Sequence, residues 1–166
     1  AILARHAGNR SILFDNGICD CLIDMLKKEN KDNYNMTRSI CESLSLMTCH
    51  DASCVYLGDE GISRGVCVTA GAYGHDVDVC IFLCRAVGAL AQVTSTRVWL
   101  GAAGVCQSGV GMMKRHQNNQ DLVEVALCAV AHLSDHNKSN CQKLCEAGAC
   151  RLLPSAMLNY GERSKA

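Results

Sequence analysis

The chain has 166 residues, 49% of them apolar and 19% charged, and its sixteen basic and sixteen acidic side chains cancel. That apolar content excludes disorder and is enough for a sizeable core, while the balanced charge removes the usual ground for a nucleic-acid or anionic-membrane surface. No stretch approaches the roughly 18 uninterrupted apolar residues of a membrane span, the start lacks the zones of a secretory signal, and a single proline leaves no proline-rich linker.

In chain order, residues 1–8 read as the tail of a helix, because Ile2 precedes Asn9 by seven positions as Leu46 precedes Ser53 and Leu133 precedes Asn140. A short helix over 9–16 should stop at Gly17, a residue that takes positive φ at little cost. Ile18, Leu22, Met25 and Leu26 then recur at helical spacing over 18–28. The polar run from Lys27 to Asn33 reads as a loop, and a longer helix over 34–48 carries Met36, Ile40, Ser43, Leu46 and Met47 on one side. The same order follows: helices over 53–60 and 62–71, then one capped by Asp76 or Asp78 and running to about Val93. The helix over 62–71 has the weakest signal, since Gly65, Gly71 and Gly74 should each cost about 1 kcal/mol against alanine and Val66, Val68 and Thr69 also suit a strand. Next come 96–103, 105–116 and 119–134, the last with the clearest apolar stripe. The chain closes with helices over 138–147 and 149–159.

The order is a repeat. Asn9, Ser53, Thr96 and Asn140 each stand eight residues before a glycine, and Leu13, Leu57, Leu100 and Leu144 each stand four before it. Successive glycines, at 17, 61, 104 and 148, lie 44, 43 and 44 residues apart. A fixed period of this size signals an all-α array of stacked helical units. The units are 9–52, 53–95, 96–139 and a partial one at 140–166, with 1–8 closing a preceding unit. Leu46, Leu90 and Leu133 each lie 29 residues past their glycine, which places the missing residue of the middle unit in the turn between Leu90 and Thr96. Neither end has the polar cap of a terminal repeat, so a longer repeat-containing chain is expected.

The segments Asn9-Arg10 through Asn16-Gly17-Ile18 and Asn140 through Ala147-Gly148-Ala149, the second-helix residues Leu22, Met25-Leu26, Leu153 and Ala156-Met157, and the run Ala126 to Leu133 together resemble the armadillo repeat rather than the two-helix HEAT unit. The resemblance implies a right-handed superhelical solenoid of three-helix units whose third helices line a concave groove for a protein or peptide. Two features depart from the family. Its proline after the glycine is replaced by Cys19, Ser63, Cys106 and Cys150. The tryptophan and asparagine ladder of nuclear-import adaptors is also missing: the matching pairs are Cys41 and Ser45, Arg85 and Ala89, Cys128 and His132.

With Met36, Ile40, Ser43 and Met47 taken as core, the opposite face of the first long helix holds Tyr34, Arg38, Cys41 and Ser45. Counting along the repeat gives Asp78, Phe82, Arg85 and Ala89, then Asp121, Val125, Cys128 and His132, as the remaining groove positions. Apolar residues beside arginine and aromatic anchors suit a protein partner.

The thirteen cysteines are an odd number set mostly among leucines and valines, the pattern of small buried hydrophobes in a reducing, cytoplasmic setting rather than of a disulfide framework. Cys141, Cys145 and Cys150, near His136, lack the paired gaps of a zinc site, and no metal or cofactor is expected. Gly101 to Gly111 resembles a phosphate loop only loosely, because no lysine and serine or threonine pair follows. Lys114, Arg115 and His116 read as a solvated helix end, where cations suit the dipole. No nucleophile has a flanking signature. The expected function is a non-enzymatic scaffold. The alternatives are a transport or targeting adaptor that reads an extended peptide, and a cysteine-based metal or redox sensor.

Overall fold

The computed structural model describes residues 1–27, 33–59, 61–152 and 154. They are all-helical, with no strand: α1 (Ala7–Asp15), α2 (Ile18–Lys27), α3 (Tyr34–Met47), α4 (Asp51–Asp59), α5 (Ile62–Tyr73), α6 (Val77–Leu90), α7 (Thr94–Ala103), α8 (Val105–Arg115), α9 (Gln120–Ser134) and α10 (Lys138–Ala147). Residues 149–152 are also helical; the rest of the expected 149–159 helix, with Leu153 and Ala156-Met157, lies outside the described residues, as do 28–32 of the expected loop. Among the described residues no helix is long and apolar enough to cross a membrane. The start departs from expectation. Leu3–Arg5 is a single 3-10 turn, and extended backbone at His6 separates it from α1.

Each chain reversal has a local cause. Gly17, Gly61, Gly104 and Gly148 take left-handed φ between 75° and 99°, as their spacing predicts, and each ends a short helix. Asn33, Asp76, Asn119 and Asn137 open α3, α6, α9 and α10 by accepting the N–H three residues on, at 2.8–3.0 Å. Such caps are each worth about 1 kcal/mol.

The helices bury their apolar sides on one another in three rows: α3 on α6 on α9, α2 on α5 on α8, and α4 on α7 on α10. The repeat leucines Leu57, Leu100 and Leu144 are buried with Leu83, Leu90 and Leu133, each worth about 1.5–3 kcal/mol relative to exposure. Helix α5 holds over Ile62–Tyr73 despite its glycines, and Gly65 explains one of them. A Cβ there would lie 2.9 Å from the Leu26 Cβ, so its absence lets α5 close on α2.

The caps revise the repeat register. Asn33, Asp76 and Asn119 are spaced by 43 residues each, so Met47, Leu90 and Leu133 are equivalent, not Leu46. The extra residue of the first unit therefore lies between Gly17 and Asn33, and that of the third in the turn from Ser134 to Asn137. There His136 takes a left-handed φ of 47°. A one-residue slip turns a helix face by about 100°, and α3 shows the consequence. Cys41 and Ser45, expected on the open face, are buried, while Ser43 and Leu46, expected in the core, are only half-buried.

Two glycines outside the corner column carry the α4, α7 and α10 row. A Cβ on Gly58 would lie 2.0 Å from the Thr96 Oγ1, and one on Gly101 1.7 Å from the Asn140 Oδ1. Each short helix thus leaves a gap that the next one fills with its polar anchor residue. Asn140 uses the approach fully: its Nδ2 donates to the carbonyls of Arg97 and Leu133, both at 3.0 Å. Asn9 does the same locally, donating to the Leu3 carbonyl.

An apolar void of about 20 Å³ lies between α5, α6, α8, α9 and α10, with Gly109, Val87 and Val130 in its lining. A Cβ on Gly109 would meet nothing within 4 Å. Gly109→Ala should therefore stabilise the chain by about 1 kcal/mol from helix propensity alone, raising the thermal midpoint by about 3 °C. A lower midpoint in calorimetry would show that the space is filled.

Candidate partner-binding surface

The expected groove residues lie on three neighbouring helices, α3, α6 and α9, and Phe82 and Val125 among them pack against the core. Tyr34, Asp78, Arg85, Asp121 and Cys128 are exposed, and Arg38, Phe82, Val125 and His132 are half-buried. Ser45 drops out of this set, and in the corrected register Asn35, Ser39, Glu42 and Leu46 take the places given to Tyr34, Arg38, Cys41 and Ser45. The import-adaptor ladder is absent from these positions too.

The half of the face between α3 and α6 is tied up internally. Arg38 donates through Nε and Nη2 to the Asp78 Oδ2, at 3.0 and 2.8 Å, and its guanidinium lies 5.6 Å from the Phe82 ring centroid. Tyr34 donates its hydroxyl to the Asp76 Oδ2 at 2.9 Å, while the Asp76 Oδ1 caps α6. That hydrogen bond, helped by the carboxylate charge, pushes the Tyr34 hydroxyl above its usual pKa. Arg5 reaches Glu42 with Nε at 3.1 Å. Exposed pairs of this kind set side-chain direction more than they add stability.

The half between α6 and α9 is different. Among the described residues Arg85, Asp121 and Cys128 form no ion pair and no side-chain hydrogen bond. The His132 Nδ1 is buried without a hydrogen-bond partner, a state that costs about 1–3 kcal/mol. Arg85, Asp121 and Cys128 therefore face solvent with unused bonding capacity, while Phe82, Val125 and His132 are half-buried.

The cysteines divide more evenly than their neighbours suggest. Six are buried, one is intermediate and six are exposed. Burial pushes the thiols of Cys41 and Cys84 up to about 12 and those of Cys54 and Cys80 up to about 11. They stay protonated at neutral pH and are poor nucleophiles and ligands. At the end of α8 Lys114 and Arg115 are exposed as expected; Lys114 also donates to the Ala147 carbonyl at 2.9 Å, and His116 Nε2 lies 3.0 Å from the Gly74 carbonyl oxygen.

Sequence reasoning missed Arg97, which is 7% exposed. Its Nε donates to the Ala91 carbonyl at 2.7 Å, and Nη1 reaches Asp135. A signal for it existed, because Arg10 follows its anchor residue in the same way and donates to the Ala4 carbonyl.

Comparison of the chain with protein-family models, curated proteins and solved structures found no match.

Proposed function

We propose that the chain is a segment of an armadillo-type α-solenoid that works as a non-enzymatic scaffold, holding a partner protein or peptide on the open face of its third helices. The observation that carries this reading is the contrast within that face. The α3 and α6 side is spent on its own pairings, while Arg85, Asp121 and Cys128 on the α6 and α9 side are exposed and unpaired. A preorganised surface lowers the ordering cost of association, and arginine and aromatic anchors supply most of the energy at such sites. The buried, protonated thiols support a reducing, cytoplasmic setting.

The test is selection of a displayed peptide library on the wild-type chain, followed by titration of the selected peptides against Phe82→Ala/Arg85→Ala. The double variant should stay folded, since neither side chain is fully buried, and should bind at least tenfold more weakly. Undiminished binding by the folded double variant rejects the site. Recovery of one dominant linear motif favours a targeting adaptor over a general scaffold.

A further inference from the structure

The four glycine corners differ in the residue before the glycine, which is Asn16, Glu60, Ala103 and Ala147 in turn. Asn16-Gly17 is the chain's one Asn-Gly pair. An asparagine carboxamide beside a glycine is open to attack by the glycine nitrogen, because no Cβ shields that nitrogen. Here α1 holds both reacting groups. The Asn16 Nδ2 donates to the Ile12 carbonyl at 2.7 Å, and the Gly17 N–H donates to the Phe14 carbonyl at 2.9 Å. With Asn16 at ψ 15° and Gly17 at φ 76°, that N–H is directed back into α1. Attack therefore waits until the last turn of α1 opens, and little holds that turn: α1 has no buried residue, and Asn16 is itself exposed. Elements with few buried contacts open locally at a fraction of the global cost.

We propose that Asn16 is a covalent modification site, a carboxamide that local opening of α1 exposes to deamidation and whose loss then keeps α1 loose. The Gly17 nitrogen attacks the Asn16 Cγ. The N–Cγ bond forms, the Cγ–Nδ2 bond breaks, and ammonia leaves with the proton that Gly17 gives up. Water opens the resulting succinimide at either carbonyl, giving aspartate or isoaspartate at position 16. One asparagine and one water thus yield one acidic residue and one ammonia, with no oxidant. The new carboxylate has no hydrogen to donate to the Ile12 carbonyl. It adds negative charge at the negative end of α1, close in sequence to exposed Asp15 and Asp20, and isoaspartate also lengthens the backbone at the corner. The site lies off the α3, α6 and α9 face and is independent of the partner-binding reading.

The whole chain and a synthetic peptide of residues 11–27 are incubated side by side in warm neutral buffer, sampled over time and analysed by mass spectrometry. Trypsin cleaves the chain after Arg10 and Lys27 and releases 11–27, which contains no other asparagine. The expected product is that peptide, heavier by the difference between a hydroxyl and an amino group and separable into aspartate and isoaspartate forms. Two neutral hydrogen bonds must break first, so the folded chain should convert about tenfold more slowly than the peptide. Its rate should hold within about twofold at urea concentrations below the unfolding transition, since opening one turn exposes little surface. Ile12→Pro breaks α1 at an exposed position and should bring the rate to within about twofold of the peptide's. Hydrogen exchange across α1 should be faster in the deamidated chain than in the unmodified one. No conversion after many half-lives of the peptide, conversion of the wild-type chain as fast as the peptide, a rate that climbs with urea as the unfolded population does, or unchanged α1 exchange after deamidation each overturns the proposal.

Discussion

Gly101→Ala is expected to lose about 4 kcal/mol of stability. The added Cβ would lie 1.7 Å from the Asn140 Oδ1. Asn140, 1% exposed, has no room to retreat. Either α7 and α10 separate, or Asn140 turns away and gives up its bonds to the Arg97 and Leu133 carbonyls. Overpacking costs about 1–3 kcal/mol and buried polar groups left unpaired about 1–3 kcal/mol each. Urea unfolding should show the loss, with a thermal midpoint about 10 °C lower. Pairing Gly101→Ala with Asn140→Ser, which copies the smaller anchor Ser53, tests the cause. The double variant should lose less than the sum of the single variants by at least about 1 kcal/mol. A Gly101→Ala midpoint within about 2 °C of wild type would show that the helices do not meet this way.

Arg97→Ala should cost about 3 kcal/mol, although it removes a cation that a surface reading would treat as dispensable. The guanidinium serves two chain reversals at once. Nε and Nη2 donate to the Ala91 and Gln92 carbonyls just past the end of α6, at 2.7 and 3.4 Å. Nη1 donates to the Asp135 carbonyl just past α9 and pairs with its carboxylate at 3.1 Å. Helix C-termini carry partial negative charge, which the cation balances. Removing it strands these carbonyls near the core, and hydrogen bonds to charged groups are worth about 1.5–3 kcal/mol each. Arg97→Lys should recover less than half of the loss, because an ammonium lacks the planar fork that reaches both turns. Asp135→Asn should cost much less, since that carboxylate is 51% exposed and the backbone carbonyl bond survives. A chemical denaturation series that ranks the variants otherwise would reassign Arg97 to the surface. Arg38→Ala gives the contrast: its pairing with Asp78 is largely exposed, so stability should hardly change.

Leu57, Leu100 and Leu144 were legible as core from spacing alone, as were the corner glycines, because both signals are local and recur. The register was legible on α6 and α9. It was misplaced on α3 because counting started from Gly17, whereas the helix starts at Asn33, and the extra residue lies between them. Leu46 looked like the natural partner of Leu90, yet Met47 fills that place. The sequence contained the correct ruler in the cap series Asn33, Asp76 and Asn119, whose spacing does not vary.

The sequence by itself determined the helices, their left-handed corners and the order in which they repeat, since each follows from side-chain periodicity and backbone φ within a few residues. Tertiary structure alone decided that Gly58 and Gly101 are contact points, that Arg97 is a buried clasp, and that Arg38 is spent on Asp78 while Arg85 is left unpaired. These depend on contacts between residues up to 43 positions apart, which no local pattern in the chain records.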